Sequence, residues 1–148
     1  MNEDTTSRLD EILKKAGPKD FSKFSEEDLK ENLPSLADYL NEYIAKEGLV
    51  LSDIVKKSTL SKDYAYAILN GNRSKPTKDR IIALCLAMHM DLKSVQRALK
   101  LCEMVLYSKN KRDAAFIICF NNEIYDIDKV NSFLEENNLA ILETSKLS

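Results

Sequence analysis

Few residues in this chain stand where side-chain chemistry could begin. The sole histidine is His89, and no serine, cysteine or carboxylate is spaced to it as a nucleophile or orienting acid. Its place near a helix end suits a cap, where a cation is favourable. Gly-rich phosphate loops are absent from a chain with only 3 glycines. Acidic neighbours such as Glu135-Glu136 fall on different helix faces, as solvated charge does. The 3 cysteines, Cys85, Cys102 and Cys119, form no CxxC pair and each lies among apolar residues. That pattern suits reduced, buried thiols, not a disulfide framework, and it gives zinc no adjacent ligands. The expectation is no catalytic residue, no metal and no cofactor, and hence no enzyme.

What remains is charge. From Val50 to Arg80 there are seven basic residues, Lys56, Lys57, Lys62, Arg73, Lys75, Lys78 and Arg80, against three acidic ones, Asp53, Asp63 and Asp79. The whole chain carries a formal charge of −2, so this stretch concentrates positive charge that the rest lacks. A local basic patch of this kind is the electrostatic footprint of a polyanion site. A second basic run, Lys109-Asn110-Lys111-Arg112, reads as a solvated loop and helix cap that could reach a flanking phosphate.

The elements that must hold these residues are helical. With 148 residues, 44% hydrophobic and 31% charged, the chain is long and apolar enough for a packed core. Glycine and proline are scarce, which favours helices. A first helix is expected from a cap at Thr6 to about Ala16, with Leu9, Ile12, Leu13 and Ala16 on one face and Gly17-Pro18 ending it. Another starts at Ser25 and stops at Pro34. Up to Pro34 nine acidic residues face six basic ones, so residues 1–34 read as an acidic helical arm.

Ser35 then opens an amphipathic helix with Leu36, Leu40, Tyr43 and Ile44 on its stripe, closed by Gly48. Two short helices, about 52–57 and 62–70, flank the turn Ser58-Thr59-Leu60-Ser61, with Ser61 as N-cap. Pro76-Thr77 opens a helix burying Ile81, Ile82, Leu84, Cys85 and Met88, and Asp91 caps one burying Val95, Leu99 and Cys102. Lys111–Phe120 is expected as a helix; its apolar, β-branched part could suit a strand, but no partner strand is near. A helix from about Ile127 to Glu136 turns Val130, Phe133 and Leu134 inward, and Leu139–Leu142 docks on the body.

The spacing within Leu51–Gly71 is the informative part. Ile54 and Val55 lie in the first short helix, Leu60 in the turn, and Ala65 and Ile68 on the inner face of the second. Small and medium apolar groups at those points let two short helices cross steeply, and such a pair projects its second helix outward, where it can enter a major groove. With Leu60 to Gly71, then Pro76-Thr77 and an apolar helix ending near Asp91-Leu92, the chain over about 35–99 resembles the xenobiotic-response-element (Cro/C1 phage-repressor-like) helix-turn-helix family.

That resemblance implies an all-α fold: a five-helix core over 35–100, with the N-terminal arm before it and a helical C-terminal extension, 101–148, after it. It implies that the second short helix is a recognition helix with Lys62, Asp63, Tyr66 and Ala67 toward base edges, Lys62 donating to guanine and Asp63 accepting from cytosine. Asn70, Arg73, Lys75 and Lys78 fall where the family meets phosphates. Two positions depart from the family pattern. Leu51 stands where a glutamine is common, and Thr59 where glycine usually takes a left-handed conformation.

The expected function is sequence-specific regulation of transcription through double-stranded DNA. The alternative is a protein-interaction module on the same fold that has lost base readout. A homodimer, and a protein partner on the N-terminal arm or C-terminal extension, are the further partners that the apolar stripes allow. No apolar run approaches bilayer length, Met1–Thr6 lacks an apolar signal core, and a cytoplasmic location with no membrane is expected.

Overall fold

The computed structural model describes residues 10–23 and 33–144. The chain divides into two compact units, Met1–Ser35 and Leu36–Ser148. In the first, residues 10–15 are helical and a 3-10 helix spans Pro18–Lys23. The helix ends just before Gly17-Pro18, and Ile12 and Leu13 are exposed on it. The helix starts expected at Thr6 and Ser25 lie outside the described residues.

The second unit is all-helical among its described residues. Its helices are α1 (Leu36–Glu47), α2 (Leu51–Ser58), α3 (Lys62–Leu69), α4 (Lys78–Ala87), α5 (Leu92–Lys100), α6 (Lys111–Asn121) and α7 (Ile127–Glu136). Side-chain N-caps set five of the starts. Ser61, Thr77, Asp91, Asn110 and Asp126 each accept a backbone N–H of the first turn. The stretch 114–120, expected as helix although its apolar, β-branched letters could suit a strand, lies within helix α6. Its face Ala115, Phe116, Cys119, Phe120 repeats at helical spacing and is buried.

Five helices end alike. Gly48, His89, Glu103, Glu123 and Asn138 each take positive φ, between 53° and 65°. The next residue (Leu49, Met90, Met104, Ile124 or Leu139) sends its N–H back five positions to a helical carbonyl. These are Schellman closures, and the residue after the left-handed one is apolar and packs on the core each time. Only one of the five uses glycine, so four ends carry a backbone conformation costing about 1–2 kcal/mol in a non-glycine residue. Burial of the following apolar side chain, about 1.5–3 kcal/mol when complete, offsets it.

α4 is the axle of the unit. Residues Ile81 to Leu86 are completely buried, and α2, α5 and α7 all pack against it. α1 packs on α3 and α5, while α6 bridges α5 and α7. Phe116, Phe120, Val130 and Leu134 from α6 and α7 lie in the same apolar cluster as Leu40, Ile68 and Ile82 from the earlier helices. All three cysteines are buried free thiols, and desolvation raises the pKa of each. Among the described residues no helix is long and apolar enough to cross a membrane.

Candidate nucleic-acid interface

α3 is held by its inner face and presents its outer one. Ala65, Ile68 and Leu69 are buried, and the Asn41 side-chain amide on α1 donates to the Leu69 carbonyl at 2.7 Å, tying the last turn of α3 down. At the other end the Ser61 hydroxyl accepts the Tyr64 N–H at 3.2 Å. Lys62 and Asp63 in the first turn are exposed, and Tyr66 and Ala67 are half-buried. The Lys62 ammonium lies 5.9 Å from the Tyr66 ring centre, so the two share one face.

The turn into α3 is tight. Thr59 adopts φ 60°, ψ 7°, the left-handed region, although it is β-branched. The buried Ser58 hydroxyl donates to the Val55 carbonyl and accepts the Leu60 N–H, and Leu60 is buried beneath the turn. The position where the resembled family uses glycine therefore has the conformation that glycine would supply, held here by a threonine.

Beyond α3 the chain folds back over it. Asn70 accepts the Asn72 N–H with its side-chain oxygen, Gly71 takes φ 86°, and the Arg73 N–H returns to the Ala67 carbonyl. This places the Arg73 guanidinium 4.7 Å from the Tyr64 ring centre, while Arg80 from α4 lies 4.2 Å from the same ring. Tyr64 is half-buried against the core beneath these cations. Arg73 itself is exposed.

The phosphate-type candidates separate into two groups. Asn70, Arg73 and Lys75 are exposed beside α3, and Lys75 makes only a long, solvated pair with Glu103 at 3.9 Å. Lys78 turns the other way. Its ammonium meets the buried Asp113 carboxylate of α6 at 2.8 Å, an engagement nothing in the spacing foretold. Arg112 of the basic loop is likewise engaged, forming a bidentate pair with Asp79 at 2.9 and 3.0 Å. Lys56 and Lys57 at the end of α2 remain exposed. The exposed charge over 50–80 is thus five basic residues against Asp53 and Asp63.

Elsewhere, a cleft of about 700 Å³ opens between the ends of α2 and α4 and the α6–α7 turn, with His89 stacked on Tyr125 at 4.4 Å. Carboxylates such as Asp53 and Glu123 alternate there with Lys56 and Lys129, so charges of both signs line it. In comparisons with known proteins, no family model matches the chain, and no curated protein or solved structure does.

Proposed function

We propose that this protein binds double-stranded DNA, with α3 as a recognition helix in the major groove of a repressor-like helix-turn-helix core, and that it regulates transcription in the cytoplasm. The observation that carries the reading is the α2–α3 pair. Two eight-residue helices meet through a left-handed Thr59, with α3 held from behind by α1 and its Lys62/Tyr66 face turned to solvent. Lys62 donates to guanine, Asp63 accepts from cytosine, and Tyr66 and Ala67 meet the groove wall. Asn70, Arg73 and Lys75 neutralise phosphates on the flank. Lys78 keeps its structural partner, so the phosphate set is smaller than the letters suggest.

The protein-interaction reading needs an apolar patch around α3. Tyr64 packs on the core under two guanidiniums, and neither Leu51 nor Tyr66 is among the exposed large apolar side chains. That weighs toward DNA.

The test is selection of bound fragments from a random duplex pool at rising salt, with Lys62→Ala and Arg73→Ala. The expected result is an enriched sequence whose preference Lys62→Ala relaxes by about 1–3 kcal/mol at one base pair. Arg73→Ala should weaken all sequences alike and lower the salt slope by about 1. Sequence-blind binding in every variant, or none, overturns the reading.

A further inference from the structure

The last described residues run back from α7 to the turn that launches α3. Residues 139–144 have no regular structure, yet four successive residues, Ala140 to Glu143, each have a backbone group bonded by a side chain. Arg112 donates from Nε to the Ala140 carbonyl and from Nη2 to the Ile141 carbonyl, both at 2.9 Å. Asn131 accepts the Leu142 N–H, and Asp79, already paired with Arg112, accepts the Glu143 N–H, again at 2.9 Å. Leu142 is buried between these polar anchors. The segment ends with the Thr144 hydroxyl 2.6 Å from the Thr59 hydroxyl.

Thr59 is the residue that most needs an outside partner. Five of the six other left-handed helix ends close with a backbone bond reaching back five positions, and the sixth, after α3, is Gly71, a glycine for which this conformation carries no strain. At Thr59 that bond is missing from the turn, because the Leu60 N–H goes to the Ser58 hydroxyl instead. A β-branched residue in this region is strained and persists only where its surroundings over-determine it. The surroundings here are Ser58, the buried Leu60 and the strap's terminal hydroxyl.

We infer that residues 139–144 act as a strap whose Thr144–Thr59 contact positions α3, so that seating of the C-terminal segment sets how firmly the α2–α3 turn presents the recognition helix. Thr59 and Thr144 are positioning residues and touch no ligand. The consequence for DNA rests on the function proposed above; the mechanical coupling does not. Anything that lifts residues 139–144, such as a partner that captures Leu142, would loosen α3 without touching it.

Amide hydrogen exchange on the full chain without DNA tests the coupling. Thr144→Val should speed exchange of the amides from Leu60 to Leu69 about five-fold, as loss of one hydrogen bond predicts, with α1 and α5 unchanged. Leu142→Ala, which unseats the strap without altering either threonine, should do the same. In Thr59→Gly, where left-handed backbone costs nothing and no hydroxyl remains, adding Thr144→Val should change nothing further. Unchanged exchange at Leu60–Leu69 in both strap variants overturns the inference. So does a uniform increase across all helices, or a Thr144→Val effect that persists with Gly at position 59. A DNA arm follows: Thr144→Val should reduce the ratio of specific to non-specific binding a few-fold in the wild-type background and not in Thr59→Gly. Failure of duplex selection would sink the DNA reading and leave the exchange result standing on its own.

Discussion

The sharpest energetic prediction concerns Asp113. The residue is 6% exposed, and its carboxylate accepts two bonds at one oxygen, from the Lys78 ammonium at 2.8 Å and the Tyr107 N–H at 2.9 Å. It also lies in the first turn of α6, where negative charge is favourable. Asp113→Ala removes a charge-assisted bond worth about 1.5–3 kcal/mol and a second bond, from the N–H of the exposed Tyr107, worth about 0.5–1.5 kcal/mol because water can replace it. The lysine recovers part of this, because its side chain is 32% exposed and can swing into water. The net loss should be about 2–4 kcal/mol, clearly above an exposed pair, which yields at most about 1 kcal/mol. Urea unfolding of the wild type, Asp113→Ala, Lys78→Ala and the double variant measures it. The two single losses should not add, leaving a coupling of about 1 kcal/mol or more. A loss under about 0.5 kcal/mol for Asp113→Ala, or strict additivity, would show that Lys78 is not held and would return it to the phosphate candidates.

Three further expectations follow from the same structure. Burial raises the tyrosine pKa at Tyr39, Tyr43 and Tyr125, with Tyr43 pushed up to about 12. A folded pKa above the unfolded value of about 10 means stability that is complete below that value and lost as pH rises toward 12, so phenolate absorbance should rise together with unfolding in that window. Smooth titration of all 6 tyrosines near their ordinary value in folded protein would refute it. The buried cysteines, all with raised pKa, should react with a disulfide reagent only on unfolding; a fast-reacting thiol in native protein would contradict their packing. Glu103→Gly at φ 60° should stabilise by about 0.5 kcal/mol, since relief of left-handed strain exceeds the entropy glycine adds to the unfolded chain. Loss of stability in thermal unfolding would mean that the long Lys75 pair matters more than the backbone.

The helices of the second unit were legible because their signals are local. Ser61, Thr77, Asp91 and Asn110 announce starts by side-chain type, and apolar spacing marks the faces of α1, α5 and α7. Helix ends were harder. The usual glycine sign appears at Gly48 and is missing at His89, Glu103, Glu123 and Asn138. A second sign was there instead, an apolar residue just after the last turn, since Met90, Met104, Ile124 and Leu139 all close Schellman motifs. The rise of α4 to complete burial was also beyond local reading. Its apolar residues lie all round the helix, and only packing on α2, α5 and α7 uses every side.

The candidate site divides along the same line. Lys62 and Lys78 are one letter in a count of basic residues, and a local excess of positive charge treats them alike. Their fates depend on residues far along the chain: Lys62 has only Tyr66, one turn away, whereas Lys78 meets Asp113, 35 positions on. Arg112 and Asp79, 33 positions apart, consume one another and then use their spare groups on the strap. Sequence charge therefore overstates a polyanion surface wherever a fold brings acids from elsewhere against it. The residues that escape are Lys62 and Arg73 on α3 and the loop that folds over it, Lys56 and Lys57 at the end of α2, and Lys75 but for its long solvated pair with Glu103, because α6 and the strap reach α4 and the α2–α3 turn, and no acid of α6 or the strap is paired with these five. Positive charge left free beside an outward helix, after internal pairing has taken its share, is a stricter sign of a DNA-facing surface than the count that first drew attention to it.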